Sequence, residues 1–338
     1  MGKRVKIVRI GEDVELPLVG AIAFGVVDRG TNVLQIRPVS FCPLSCIFCS
    51  TDAGPKTRYR NAEYIVSLDL MIEWVKAIVK FKGERHIEAH IDTVGEPLTY
   101  PRVVELVQAL SEIKGIEVIS MQSNGVLLSE KLLDKLANAG LSRINLSIHS
   151  LNSEKSKFLV GVEKYDLNHV THMAEYIANS PVDLLIAPVW IPTLNDKDIS
   201  ELINYAIKIG AGKRWPPLGI QKYIPHKRGR KPEGIKSMSW RKFYSALREL
   251  EKKFNVKLVL KPRDFAIHER RMLPIKFKKF EKIKVKVLAE GWLKGEKIGS
   301  ADGRAVTLVN AEKIPLGSKV KAVIIRNKHN IYLAKPII

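Results

Sequence analysis

The chain has 338 residues, of which 46% are hydrophobic, and this composition is typical of a globular protein with one large or two smaller domains. Its formal net charge of +21 indicates a polyanionic partner, and nucleic acid is favoured over a lysine-rich thermophile surface because Glu does not balance Lys. No apolar run reaches the roughly 18 residues that a membrane span needs, so no membrane association is expected.

The predicted location is the cytoplasm. The N-terminus alternates apolar and basic residues and lacks the apolar core of a signal peptide. Clustered reduced thiols also favour a reducing compartment. Glutamine is scarce beside abundant Lys and Glu, a bias typical of thermophile proteins.

Strands and helices are predicted to alternate after a β-rich N-terminal extension over residues 1–30. The predicted strands are 32–37, 86–92, 116–121, 143–148, 182–190 and 218–223, and the predicted helices are 68–81, 101–113, 129–138, 166–179, 197–209 and 239–253. This alternation favours a parallel α/β sheet, either doubly wound and open or a partial barrel. In both architectures the functional site lies at the carboxyl ends of the strands.

The loop after the first predicted strand, F-C-P-L-S-C-I-F-C (41–49), holds all three cysteines of the chain. Cys42, Cys46 and Cys49 are spaced C-x3-C-x2-C, and thiolates in one short loop can converge on a metal or an iron–sulfur centre. A structural zinc site normally has four ligands, so here a histidine would have to complete it. A [4Fe-4S] cluster with three thiolates leaves one iron open for another ligand, and this interpretation is favoured.

Polar residues follow three further predicted strands. Gly95-Glu96-Pro97 follows the second strand, and a carboxylate there could accept hydrogen bonds from an ammonium group. Ser123-Asn124-Gly125 follows the third strand. Ser147 and His149 end the fourth and should point the same way. His149 is a candidate catalytic acid or base, although a structural histidine explains it equally well.

The cysteine spacing, with aromatic Phe48 before the last cysteine, resembles the signature of the radical S-adenosylmethionine (SAM) enzymes. The resemblance implies a partial (β/α)6 barrel over residues 31–265, a [4Fe-4S] cluster on the three cysteines and SAM on the open iron. It also implies an electron donor such as a ferredoxin or flavodoxin. By the same resemblance, the cofactor-binding residues are Phe48, Gly95, Glu96, Ser123, Asn124 and Ser147. Val94 stands where the family motif G-G-E-P has its first glycine.

Basic residues supply the candidate RNA contacts. The loop after the sixth predicted strand, I-Q-K-Y-I-P-H-K-R-G-R-K-P (220–232), is placed near the mouth of the barrel, where phosphate contact is favoured over a merely solvated charge run. A basic linker over residues 266–282 then leads into the C-terminal part. The candidate contacts are Lys227, Arg228, Arg230, Lys231, Lys278, Lys279, Lys284 and Lys286.

The C-terminal residues 283–338 are predicted to form a small all-β barrel. Short β-rich segments at 284–289, 305–309, 319–325 and 330–334 are separated by turn residues. The stretches 295–309 and 314–324 resemble a TRAM domain, an OB-like barrel that adds RNA binding to tRNA-modifying enzymes.

The favoured function is a radical SAM enzyme that cleaves SAM reductively to a 5′-deoxyadenosyl radical and modifies RNA, with tRNA expected, at a carbon centre. The chain resembles tRNA methylthiotransferases but lacks their N-terminal domain and second cysteine set, so sulfur insertion is not expected. One alternative is a radical SAM enzyme acting on a peptide or small metabolite. Another is an RNA-binding iron–sulfur protein without catalysis.

Overall fold

The computed structural model describes residues 5–337, and its regular elements follow the predicted alternation. The strands are β1 (Lys6–Ile10), β2 (Gly25–Asp28), β3 (Val33–Arg37), β4 (Ala62–Val66), β5 (Ile87–Ile91), β6 (Ile116–Ser123), β7 (Arg143–Leu146), β8 (Asp183–Ile186), β9 (Val189–Trp190), β10 (Gln221–Lys222), β11 (Lys282–Glu290), β12 (Lys297–Ala301), β13 (Arg304–Leu308), β14 (Lys319–Arg326) and β15 (Leu333–Pro336). The α-helices are α1 (Leu68–Lys82), α2 (Val103–Ser111), α3 (Glu130–Asn138), α4 (Ser153–Val160), α5 (Leu167–Asn179), α6 (Asp196–Lys208) and α7 (Trp240–Phe254).

Internal contacts divide the described chain into two compact units. The first unit takes the chain up to Phe41, then Thr57–Glu117 and the chain from Glu269 onward. The second unit takes Cys42–Lys56 and Val118–His268. The C-terminal strands share the first unit with the first part of the α/β region.

In the first unit, β3 pairs antiparallel with β2 and parallel with β5. Four of the five β5 residues are buried, as expected for a strand covered on both faces. Helix α1 follows Ser67 and ends at Gly83, whose φ of 99° is the left-handed conformation that terminates helices. The predicted helix at 68–81 and the first two predicted strands are confirmed.

In the second unit, β6, β7 and β8 pair in parallel in that order. The predicted sixth strand at 218–223 is interrupted: Leu218 forms one bridge with Ile186, and the two residues of β10 pair with β9. Two prolines, at 216 and 217, precede this segment and cannot donate backbone hydrogen bonds to a neighbouring strand. The helix α4 was not predicted.

Strands β11–β15 form a closed five-stranded barrel in the order β11-β12-β13-β15-β14, which confirms a small C-terminal β-barrel. The sequence predicted four of these strands and missed β12. Its Gly299 lies against β11, where an added Cβ would stand 2.2 Å from the carbonyl oxygen of Lys286. A glycine in a strand interior weakens the strand pattern but allows this close backbone approach.

The N-terminal segment is joined to this barrel by backbone hydrogen bonds within the first unit. The Ala305 N–H donates to the Val19 carbonyl (2.9 Å), and the Tyr332 N–H donates to the Gly20 carbonyl (2.9 Å). Gly20 has φ +133°, and an added Cβ would stand 2.0 Å from the Ala305 oxygen. Residues of the predicted 1–30 extension therefore belong to the packing of the barrel.

A buried arginine ties three other segments of the first unit together. The Arg60 guanidinium, whose side chain is fully buried, donates to the carbonyls of Ser40 (2.7 Å) and Val94 and pairs with Glu63 at 2.9 Å. The same guanidinium lies 5.1 Å from the ring centroid of Trp292. A buried charge of this kind is tolerated only while its hydrogen bonds and counter-charge remain in place.

We expect Arg60→Met to lower the free energy of unfolding by about 3–5 kcal/mol, because it leaves the Glu63 carboxylate buried without its partner. The double variant Arg60→Met/Glu63→Leu should recover part of this loss. Chemical denaturation measures both, with the exposed Arg58→Met as the matched control. A single variant as stable as the wild type would contradict the importance of this interaction.

Candidate cluster and cofactor site

The cysteine loop lies in the second unit and is bound to the end of α4. The Ser45 N–H donates to the Val160 carbonyl, and the Ile47 N–H donates to the Leu159 carbonyl, both at 3.0 Å. Gly161 is required beside this contact, because a Cβ there would stand 2.4 Å from the Ser45 oxygen. A helix that the sequence did not reveal thus holds the cysteine loop in place.

Cys42, Cys46 and Cys49 carry thiols of intermediate exposure. Burial raises the pKa of the Cys46 thiol, and the charges of Cys49 and Cys42 raise it further. These effects favour the protonated form of the Cys46 thiol. Among the residues that the structure describes, no three His, Cys, Asp or Glu side chains are gathered to hold a metal ion.

Another arginine, Arg230, is hydrogen-bonded to the cysteine loop and to the residues that follow it. Arg230, 13% exposed, donates from Nε to the Cys46 carbonyl (2.7 Å), from Nη1 to Asp52 (2.9 Å) and from Nη2 to the Ala53 carbonyl (2.5 Å). Its backbone N–H donates to the Cys49 carbonyl at 2.8 Å. The guanidinium predicted to contact RNA is therefore occupied within the protein, and we assign Arg230 to positioning the cysteine loop.

The predicted Ser123-Asn124-Gly125 turn places Asn124 beside a cysteine. The Asn124 Nδ2 lies 3.9 Å from the Cys42 Sγ, while its Oδ1 accepts from the Val126 N–H at 3.1 Å. Ser123 is buried, and its Oγ accepts from the Gly125 N–H at 3.0 Å. These bonds are ordinary turn chemistry, but they hold the Asn124 amide against the thiol.

The two residues predicted at the end of the fourth strand differ in their surroundings: Ser147 is hydrogen-bonded to a glutamine, and His149 packs against an aromatic ring. The Ser147 Oγ accepts from Nε2 of Gln122 at 2.9 Å, and that glutamine was missed in the sequence. His149 packs edge-on against Phe48, with ring centroids 4.8 Å apart, and its Nδ1 accepts from the Val189 N–H. Burial lowers the pKa of His149 to about 4. The imidazole is therefore neutral at pH 7 and cannot serve there as an imidazolium acid, so a catalytic role stays a prediction.

Gly95 and Glu96 lie in the first unit, against the residue that precedes Cys42 in the chain. The Glu96 N–H donates to the Phe41 carbonyl at 2.6 Å. A Cβ on Gly95 would stand 2.0 Å from that same oxygen, so only glycine fits. Glu96 is 1% exposed, and its Oε1 accepts from the Leu98 N–H at 3.1 Å, which caps the turn Pro97–Thr99.

The remaining basic candidates are on the surface. Lys227, Arg228 and Lys231 are exposed in the loop after β10. Lys278 and Lys279 are exposed before β11, and Lys284 and Lys286 point outward from it because alternate residues of that strand are buried.

Within residues 5–337 no helix is both long and apolar enough to cross a membrane.

Comparison with known proteins adds family information. Residues 36–206 match the model of the radical SAM superfamily. An uncharacterised protein of Methanocaldococcus jannaschii is 42% identical over 95% of this chain and 78% of its own length. The GTP 3′,8-cyclase of Aquifex aeolicus is 30% identical over 55% of this chain, which spans only 56% of that enzyme.

Two solved structures share the fold. A radical SAM methyltransferase from Sphaerobacter thermophilus aligns with a TM-score of 0.52 and 16% identity, over 68% of this chain and 65% of that one. SuiB of Streptococcus suis bound to S-adenosylmethionine aligns with a TM-score of 0.50 and 19% identity, over 72% of this chain and 49% of that one. At these identities the likeness concerns the fold alone.

The Arg230 contacts predict that the cysteine loop is ordered by the protein itself. Arg230→Lys keeps the charge but loses the forked donor set, so the metal-free protein should expose its thiols more often. We expect alkylation of the cysteines about 10-fold faster or more, since one charged hydrogen bond of about 1.5 kcal/mol corresponds to such a factor. All cysteines of the chain lie in this loop, so total thiol labelling measures it directly.

The control for this measurement is Lys236→Gln, which removes an exposed charge from the same stretch of chain. Thermal unfolding should be compared in parallel, so that local opening is separated from global unfolding. Labelling of Arg230→Lys at the wild-type rate would show that the loop does not depend on the guanidinium.

Proposed function

The chain belongs to the radical SAM superfamily. We propose that it is a radical SAM enzyme that modifies RNA, with tRNA as its substrate, at a carbon centre. Enzymes of this superfamily bind a [4Fe-4S] cluster and SAM, and these are the cofactors of this protein. When bound, the reduced cluster supplies the electron that cleaves SAM to methionine and a 5′-deoxyadenosyl radical. A ferredoxin or flavodoxin is the proposed source of that electron.

We assign the cluster to Cys42, Cys46 and Cys49. Their confinement to one short loop fits a cationic iron–sulfur group. The loop is held by backbone bonds to α4 and by Arg230, so the chain itself arranges the three ligands.

We assign SAM contacts to the residues predicted from the family motif. Glu96 carries a buried carboxylate on a backbone that Gly95 allows to approach closely, which suits an ammonium group. Asn124 lies beside Cys42 and offers an amide to the ligand's carboxylate or hydroxyls. The remaining assignments are Phe48, Ser123 and Ser147.

The observation that carries the RNA assignment is a lysine face on the barrel, formed by Lys284 and Lys286 of β11 with Lys319 and Lys321 of β14. All four are exposed. In the antiparallel register Lys284 stands opposite Lys321, and Lys286 stands opposite Lys319. Like charges directly opposite each other destabilise a strand pair, so a polyanion that neutralises them is the fitting ligand.

A second candidate substrate is a guanine nucleotide such as GTP. The relatives named GTP 3′,8-cyclase match slightly more than half of this chain and support it. A free nucleotide carries few phosphates, whereas the lysine face lies on a barrel outside the region that matches the superfamily model. RNA is therefore the favoured substrate, and binding experiments distinguish it from a guanine nucleotide.

Glu96 offers a test of the SAM assignment. Glu96→Gln keeps an oxygen that can accept from the Leu98 N–H but removes the carboxylate charge. We expect SAM binding to weaken by about 1–3 kcal/mol, the scale of a lost charged partner, with iron content unchanged. Calorimetry on the reconstituted protein measures SAM binding, and a colorimetric iron assay measures the iron content. Full SAM affinity in Glu96→Gln would mean that this side chain only caps the turn.

The lysine face predicts salt-dependent RNA binding. Lys284→Gln/Lys321→Gln should weaken binding of a tRNA transcript and lower the slope of log K against log salt by about 1.4–1.8, at about 0.7–0.9 per phosphate contact. Substitution is preferable to removal of the barrel, because Trp292 belongs to the buried Arg60 contact. Fluorescence anisotropy over a salt series gives the slope.

The matched control is Lys76→Gln/Lys80→Gln on α1, which removes two exposed charges from the same unit. Mass spectrometry of nucleosides from a deletion strain should show one modified nucleoside missing. If all variants bind tRNA equally and GTP binds tightly, the nucleotide substrate replaces RNA.

A further inference from the structure

Two aromatic side chains stand out on the surface of the second unit. Trp240 and Tyr244, one turn apart at the start of α7, are 53% and 37% exposed. Their rings are stacked, with centroids 5.7 Å apart and an interplanar angle of 22°. All five tryptophans lie within the described residues 5–337, and among them only Trp240 is exposed. We call Trp240 and Tyr244 the aromatic pair.

The aromatic pair rests on a rigid base. Phe243 is buried beneath it and meets both rings edge-on, at centroid distances of 6.1 Å from Trp240 and 5.5 Å from Tyr244. Phe243 in turn contacts the buried Trp190, whose Nε1 donates to Asp196 at 2.6 Å. The exposed rings are thus held in a fixed orientation, and little conformational entropy remains to be lost when a ligand binds them.

Positive charge surrounds the aromatic pair. The Lys222 ammonium lies 4.9 Å from the Trp240 ring centroid and donates to the Ser237 hydroxyl at 2.6 Å. Arg241 and Lys242 are exposed directly beside the tryptophan. Helix α7 as a whole has five basic and two acidic residues. A ligand for this surface should combine flat rings with negative charge.

We propose that the aromatic pair, with Lys222 and Arg241, binds unpaired nucleotides of RNA. Bases of a single strand expose their faces and can stack on aromatic side chains, whereas a duplex keeps them stacked on each other. The flanking phosphates complement the two cations. This inference rests on the RNA substrate proposed above and adds that the enzyme recognises an unpaired segment of it.

The test measures separately how charge and stacking contribute to RNA affinity in the reconstituted protein. A single-stranded 12-mer RNA of mixed sequence and a duplex of the same length serve as probes in anisotropy titrations over a salt series. Trp240→Ala should weaken binding of the single strand about 5- to 150-fold, with an unchanged salt slope, because the indole carries no charge. Lys222→Gln should lower that slope by about 0.7. Duplex binding should be unaffected by Trp240→Ala.

Two further variants guard against a folding defect. Trp240→Phe keeps a ring and should recover most of the affinity, whereas Trp240→Leu keeps an apolar contact with Phe243 and should not. Wild-type single-strand affinity in Trp240→Leu would overturn the inference while leaving the RNA substrate intact. Equal losses for single strand and duplex would also overturn it. Absence of any salt-dependent RNA binding in the wild type would instead remove the proposed substrate itself.

Discussion

The buried Arg60 guanidinium is the interaction on which the first unit depends. It donates to the carbonyls of Ser40 and Val94, and these residues lie just before Phe41 and Gly95 in the chain. Neither backbone segment can shift without leaving part of a buried charge unsatisfied, which is costly in a protein interior. One side chain therefore determines both where the chain enters the cysteine loop and where the Gly95-Glu96 backbone lies.

The cysteine loop has no regular secondary structure and is ordered by donors from elsewhere in the second unit. Arg230 donates a hydrogen bond to the Cys46 carbonyl. The last carbonyls of α4 accept hydrogen bonds from the backbone N–H groups of Ser45 and Ile47. Because Asp52 balances the guanidinium charge, Arg230 contributes directed hydrogen bonds more than a net field. A loop arranged in this way would lose little entropy on binding the cluster that we propose for its cysteines.

RNA contact is proposed at two surfaces of different chemistry. On the barrel, four lysines of neighbouring strands face one another and suit phosphates, which carry no sequence information. On α7, stacked Trp240 and Tyr244 suit exposed bases. The first surface supplies salt-dependent affinity for any RNA strand, and the second favours unpaired segments. An enzyme that acts on a carbon of one nucleotide needs that nucleotide outside a duplex, so the two surfaces are complementary in purpose.

The sequence alone determined the features that are local. The cysteine spacing is read directly from eight consecutive residues, and strand–helix alternation follows from apolar periodicity and was predicted correctly. The short polar helix α4, strand β12 with its glycine, and the interrupted segment at 218–223 were not. The structural roles of Arg60 and Arg230 could not be predicted either, because a basic residue in a polar stretch of sequence is expected to be solvent-exposed. Their roles depend on partners far along the chain, and only tertiary packing brings those carbonyls and carboxylates around a guanidinium.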